Sequence, residues 1–200
     1  QELRESPKAD GATQIYTHGE KEVAAVADRK ANGIPVNDNT MVEVLDLLKQ
    51  YDAKATFFVI GTGSEQGKQW MRDIVSEGHT LAMHTYTHEY TEIYESVEAY
   101  LEDMYRIFSL IKDATGVTPT HFRLPGGSVN GYNYAVSQEI LTEMLRRGFI
   151  PYDWNISSGD TTAESANEVL YNVLRGTGVS RGVVLMHDSA AKYATVAALP

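Results

Sequence analysis

From residue 21 onward, two apolar patterns alternate along the chain. Short runs rich in β-branched or aromatic residues are followed by longer segments whose apolar residues recur at helical spacing. KEVAAVA (21–27) reads as a short strand. TMVEVLDLLKQY (40–51) reads as a helix with Thr40 or Asn39 as its cap. AKATFFVIG (53–61) is a strand stopped by glycine, and SEQGKQWMRDIVSEG (64–78) is a helix closing at Gly78. HTLAMHT (79–85) is the next strand. SVEAYLEDMYRIFSLIKDATG (96–116) is a long amphipathic helix ending in glycine. HFRLP (121–125), a strand cut by proline, precedes a helix over YAVSQEILTEMLRRG (134–148). FIPYDWNIS (149–157) is a strand whose internal proline places it at an edge or a bend. A helix over 162–176 and the strand GVVLMHD (182–188) complete the series.

Some six rounds of strand and helix without a long linker predict an α/β fold of parallel strands covered by helices. An open doubly wound sheet and a (β/α) barrel both fit, and in both the ligands sit at the carboxyl ends of the strands. No glycine-rich phosphate loop follows the first strand, which counts against a nucleotide fold. Residues 1–20 are a polar N-terminal extension without a hydrophobic leader pattern, and 21–200 form the domain. About a dozen residues follow the last strand, so the closing element of a barrel is expected to be missing.

Charge and composition narrow the choice of partner. With 27 acidic against 17 basic residues, the formal net charge is -10, which disfavours a grip on nucleic-acid phosphates. The absence of cysteine excludes thiolate metal sites, cysteine nucleophiles and disulfides. No apolar run reaches the length of a membrane span.

The polar residues that end the strands matter more. One strand ends in His84-Thr-Tyr-Thr-His88, one in Arg123-Leu-Pro-Gly-Gly, one in Trp154 leading to Asp160, and one in His187-Asp188. In a parallel arrangement all four arrive at one rim. A four-residue separation puts both imidazoles on one side of a helical turn or an extended segment. Two histidines suit a borderline-soft divalent metal, which then needs a third ligand that HTYTH cannot supply. Surface or hydrogen-bonded histidines are the plain alternative. His187 at a strand end suits a general acid or base, or a cap, with Asp188 as its orienting partner or merely a cap itself. Asp160 reads on its own as a turn residue. Arg123, on an apolar strand, needs a carboxylate or an anion. Trp154 and Tyr152 are walls of a sugar site or core aromatics.

Taken together, KATFFVIG (54–61), HTYTH (84–88), FRLPGGS (122–128), YDWNISSGD (152–160) and VVLMHD (183–188) resemble the polysaccharide deacetylase family, the NodB-homology domain or carbohydrate esterase family four. The FRLPGGS and YDWNISSGD variants look most like the envelope peptidoglycan deacetylases of Gram-positive bacteria. The resemblance runs from about residue 20 to the chain end. It implies a distorted (β/α) barrel, a divalent metal with zinc first, and hydrolysis of N-acetyl groups from a GlcNAc- or MurNAc-containing polymer, outside the cell or in its envelope. By motif, His84 and His88 would be metal ligands, His187 the general acid and Asp160 its tuning partner. Arg123 would orient the base. Trp154 and Leu185, with Pro125 and Gly127, would line the acetyl pocket. The motifs kept here also suit an O-acetyl esterase of the xylan type, since only the leaving atom differs.

One motif departs. The family's first motif is Thr-Phe-Asp-Asp-Gly, whose first Asp is the base and whose second is a metal ligand. Here the region reads VAAVADRKANGIPVNDNT (23–40). One alignment puts Asp28 on the base and Arg29 on the ligand; the other puts Ala31 and Asn32 on the pair. An arginine there would repel a dication, and an asparagine oxygen would bind it more weakly. Asp28 is the expected base, and Asp28, Asn32 or Asp38 the expected third ligand. If none serves, the chain binds cell-wall glycan without cutting it.

Overall fold

The computed structural model describes residues 38–189 and 193–200. The first described helix, α1, spans Asp38–Gln50. Thr40, one of its two expected caps, lies inside the helix instead, buried and with no hydroxyl partner among the described residues. The expected strand over 21–27 falls outside the described residues. So do Asp28, Arg29, Ala31 and Asn32, as does the side chain of Asp38.

The remaining elements follow the apolar pattern closely. Strand β1 (Thr56–Val59) leads to α2 (Glu65–Ser76), whose N-cap Ser64 accepts from the Gly67 N–H at 3.0 Å. Strand β2 (Thr80–Met83) leads through the short helix α3 (Tyr90–Ile93) to α4 (Val97–Thr115). Helix α4 starts because Ser96 accepts from the Ala99 N–H at 3.1 Å, and it stops at Gly116, whose φ of 75° is costly for any residue with a side chain. Its buried face carries Tyr100, Asp103, Met104, Ile107 and Ile111, a helical stripe with one carboxylate in it. Strand β3 (His121–Phe122) precedes α5 (Ser137–Arg146), and β4 (Ile150–Pro151) follows. Strand β5 (Ile156–Ser157), α6 (Ala166–Leu174), β6 (Val184–Leu185) and α7 (Tyr193–Ala198) complete the order.

Among the described residues every strand pairing is parallel. One sheet has the order β1-β2-β3-β4 and a second pairs β5 with β6. Strand order follows chain order without reversal in the larger sheet, which is the succession of a (β/α) barrel and lacks the switch point of a doubly wound sheet. The described strands form a distorted, interrupted version of that barrel.

The expected single strand over 149–157 is in fact two. Pro151 lies on β4 at the edge of the first sheet, where the missing N–H costs least. The chain then leaves that sheet: the Ile156 N–H donates to the Val183 carbonyl at 3.1 Å and enters the second. The core lies between sheet and helices, around Phe57, Ile74, Met83, Tyr100, Ile107, Phe122, Ile140 and Met144. Among the described residues no helix is long and apolar enough to cross a membrane.

Candidate active site

The carboxyl end of β2 runs into the HTYTH segment, which is neither the helical turn nor the extended segment that its spacing suggests. Thr85 (φ 71°) and His88 (φ 57°) both adopt left-handed backbone, a rare and costly choice for a β-branched threonine. Three neighbours hold this turn. The Gly61 N–H donates to the Tyr86 carbonyl at 2.9 Å. The Arg106 guanidinium covers the Tyr86 ring at 3.9 Å. Asp103 reaches out of the buried face of α4 and accepts from the Tyr86 N–H, from the Thr87 N–H at 3.1 Å and from the Thr87 hydroxyl at 2.8 Å. Consecutive backbone N–H groups converging on one carboxylate form an anion nest whose anion belongs to the protein itself. Asp103 was not among the residues singled out from the sequence. Its signal was available, because a carboxylate interrupts the apolar stripe of α4.

The turn brings the two imidazole rings to 5.1 Å between centroids. His84 Nδ1 donates to the Arg123 carbonyl at 2.8 Å, which fixes its tautomer and leaves Nε2 as a lone-pair donor. Burial, then the adjacent His88, push His84 down to about 3, and burial also lowers His88. Both rings are therefore neutral at physiological pH, as metal ligation requires, and the pair fits a divalent cation. Among the described residues no group of three His, Cys, Asp or Glu side chains forms a metal site.

Arg123 leaves the end of β3, and its guanidinium is buried. Its Nε donates to the Tyr152 carbonyl at 3.0 Å, and the planar group lies over Phe58 at 4.1 Å and near Trp154 at 5.5 Å. Trp154 also packs on the turn after β3: a Cβ on Gly127, whose φ is 87°, would meet the indole at 3.2 Å. Pro125 is buried, and its carbonyl accepts from the Tyr94 hydroxyl at 2.7 Å. Arg123, Pro125, Gly127 and Trp154 thus gather at one place.

His187 follows β6 by two residues, past Leu185. Its Nδ1 lies 2.8 Å from Asp160 Oδ1, and its backbone N–H donates to Asp160 Oδ2 at 2.6 Å. The Thr195 hydroxyl of α7 donates to the same oxygen at 2.9 Å. Asp160, read from sequence as a turn residue, is 2% exposed in its side chain, whereas that of His187 is 40% exposed. Burial raises the Asp160 carboxyl, but the hydrogen bonds from His187 and Thr195 outweigh it and hold the group at about 2. The carboxylate that orients His187 is Asp160; burial instead pushes the neighbouring Asp188 up. A positive His187 would depress both His84 and His88, so the two strand ends share one electrostatic site.

The chain as a whole is similar to known proteins in sequence and in fold. The model of the polysaccharide deacetylase family matches residues 16–145. A peptidoglycan-N-acetylglucosamine deacetylase of Bacillus cereus is 34% identical over 164 residues, 79% of this chain. The chain spans 58% of that relative's length. The crystal structure of the catalytic domain of a peptidoglycan N-acetylglucosamine deacetylase from Eubacterium rectale superposes with a TM-score of 0.73 at 32% identity, covering 80% of this chain and 75% of that one. A carbohydrate esterase family four pseudoenzyme from Bacillus anthracis shares the fold, with a TM-score of 0.68 at 23% identity over 80% of this chain and 53% of its own.

Proposed function

The chain belongs to the polysaccharide deacetylase family, and from that premise we propose that it removes N-acetyl groups from a GlcNAc- or MurNAc-containing polymer. Peptidoglycan is the proposed substrate and the cell envelope or its exterior the place of action, as the names of the Bacillus cereus and Eubacterium rectale relatives suggest. One arrangement carries the reading: a close imidazole pair at one strand end, its His84 tied to the Arg123 carbonyl at the next, and an Asp-supported histidine at a third.

His84 and His88 would hold a divalent metal, zinc first, with a third ligand from Asn32 or Asp38, or from Asp28 where it does not serve as the base. When bound, the metal supplies Lewis acidity toward the amide carbonyl and the attacking water. Asp28 takes the proton of that water, and Arg123 orients this base. His187, protonated on both nitrogens, gives Nδ1–H to Asp160 and keeps Nε2–H for the leaving nitrogen. That division of roles needs a ring held by one nitrogen and exposed at the other. Trp154 and Leu185, backed by Pro125 and Gly127, enclose the acetyl methyl.

A second reading, glycan binding without turnover, is favoured by a single observation: residues 23–40 carry no adjacent pair of aspartates. Acetate release from acetylated chitooligomers and peptidoglycan separates the two. The wild-type chain releases acetate, and His187→Ala loses at least about a hundredfold in rate with its metal content unchanged. Full activity in His187→Ala would sink the proposal.

A further inference from the structure

The loop that follows the Arg123 strand does more than close the site. Residues 128–134 read SVNGYNY, and three apolar side chains of this stretch face solvent: Val129, Tyr132 and Tyr134, with Tyr132 60% exposed. A loop carrying that much exposed apolar surface would ordinarily relax. This one is pinned by a reciprocal amide network. Asn130 Oδ1 accepts from the Tyr132 N–H at 2.8 Å and the Asn133 N–H at 3.2 Å. Asn133 Oδ1 accepts in turn from the Asn130 N–H at 2.7 Å, and its amide nitrogen donates to the Gly127 carbonyl at 2.9 Å. Asn130 also donates to the Pro125 carbonyl at 3.1 Å, and Asn133 is fully buried. Burying an asparagine in order to fix an exposed tyrosine makes sense if the tyrosine is meant to be met.

Where Tyr132 is held is equally specific. Its ring lies edge-on to Tyr90 at 5.2 Å, and Tyr90 lies edge-on to His88 at 5.4 Å. Tyr90 in turn rests on Tyr94 at 5.9 Å, which stacks on the buried Tyr100 at 6.0 Å. An aromatic ladder therefore climbs from the core to the surface and ends one ring away from a proposed metal ligand. The turn admits it because residue 126 is glycine: a Cβ there would lie 2.9 Å from the Tyr90 ring.

We infer that Tyr132, carried by the Val129–Tyr134 loop, is the platform of a sugar-ring subsite next to the acetylated unit under attack. The inference rests on the glycan reading above. A pyranose with equatorial substituents presents a face of C–H bonds, and a fixed aromatic ring offers that face a polarisable, apolar surface at low entropic cost. Val129 and Tyr134 extend the apolar surface beside it. The occupant is the neighbouring residue of the same polymer, so the subsite favours a chain over a single sugar.

The test uses the whole chain as it stands, its Tyr132→Ala and Tyr132→Phe variants, and N-acetylglucosamine with its oligomers of two to six units. Acetate release gives KM and kcat for each length, and calorimetry gives binding of the hexamer. For Tyr132→Ala, KM on the trimer and longer oligomers rises about tenfold and the single sugar, which leaves the subsite empty, is little affected, while Tyr132→Phe, which keeps the ring, behaves as wild type. Equal KM values for wild type and Tyr132→Ala at every length overturn the subsite and leave deacetylation standing. If the wild type releases no acetate, the catalytic reading fails, and calorimetry then decides. A tenfold weaker hexamer affinity in Tyr132→Ala upholds the platform; no measurable affinity in any variant overturns it as well.

Discussion

Replacing Asp103 with alanine should loosen the histidine turn and cost stability at once. The carboxylate accepts from the backbone of Tyr86 and Thr87 and from the Thr87 hydroxyl, and it is 6% exposed. Hydrogen bonds to a charged group contribute about 1.5–3 kcal/mol each. Tyr86 and Thr87 are only partly buried, so water recovers some of the loss, and deleting a buried charge returns its desolvation cost. A net loss of about 2–4 kcal/mol is expected. That is a large share of a domain's usual stability. Holding Thr85 and His88 in left-handed backbone costs on the order of 1–3 kcal/mol each. Without the clamp the turn relaxes toward ordinary dihedrals and the two imidazoles separate. Urea denaturation, read as a midpoint shift at constant slope, measures the first effect. A zinc titration of the folded variant measures the second, with at least about tenfold weaker binding expected. Asp103→Asn, which keeps one acceptor oxygen, should fall between. A variant that loses under about 1 kcal/mol and binds zinc as wild type would refute the clamp.

Other expectations follow from the same geometry. The Asp160 carboxyl sits at about 2 in the folded chain against an ordinary 3.8. The unfolded state therefore binds the extra proton first, and stability fully present above pH 4 falls by about 2 kcal/mol as pH drops toward 2. Denaturation midpoints across that range should show the slope in the wild type and lose it in Asp160→Asn. Gly61→Ala places a Cβ 2.5 Å from the Tyr86 carbonyl oxygen, which backbone cannot yield cheaply. The variant should lose about 2 kcal/mol or more in denaturation and weaken zinc binding along with Asp103→Ala; an unchanged midpoint would mean that the turn is not pinned there.

The helices were readable because their apolar stripes and serine caps are local. Ser64, Ser96 and Ser165 each accept from the N–H three residues on, and the buried faces repeat at helical spacing. Strand positions were readable too, but strand continuity was not. FIPYDWNIS splits because its partners lie elsewhere: Tyr152 donates to the Phe122 carbonyl in one sheet, while Asn155 and Ile156 donate to Val183 in the other. The polar strand ends were legible as a set, since parallel strands must deliver His84, Arg123 and His187 to one rim. The shape of the HTYTH turn was not, because nothing about Thr85 or His88 announces left-handed backbone; the reason lies nearly twenty residues on, in Asp103. Asp160 shows the same limit. A turn aspartate looks ordinary until the fold buries it against His187 and Thr195.

Zinc stoichiometry tests the central claim most directly. The purified chain, stripped with chelator and dialysed against micromolar zinc, is analysed for bound metal beside His84→Ala. The arrangement of His84 and His88 predicts about one zinc per chain in the wild type and none in the variant. No zinc in the wild type would mean that residues 23–40 supply no third ligand, and the account of a metal-dependent deacetylase would be contradicted.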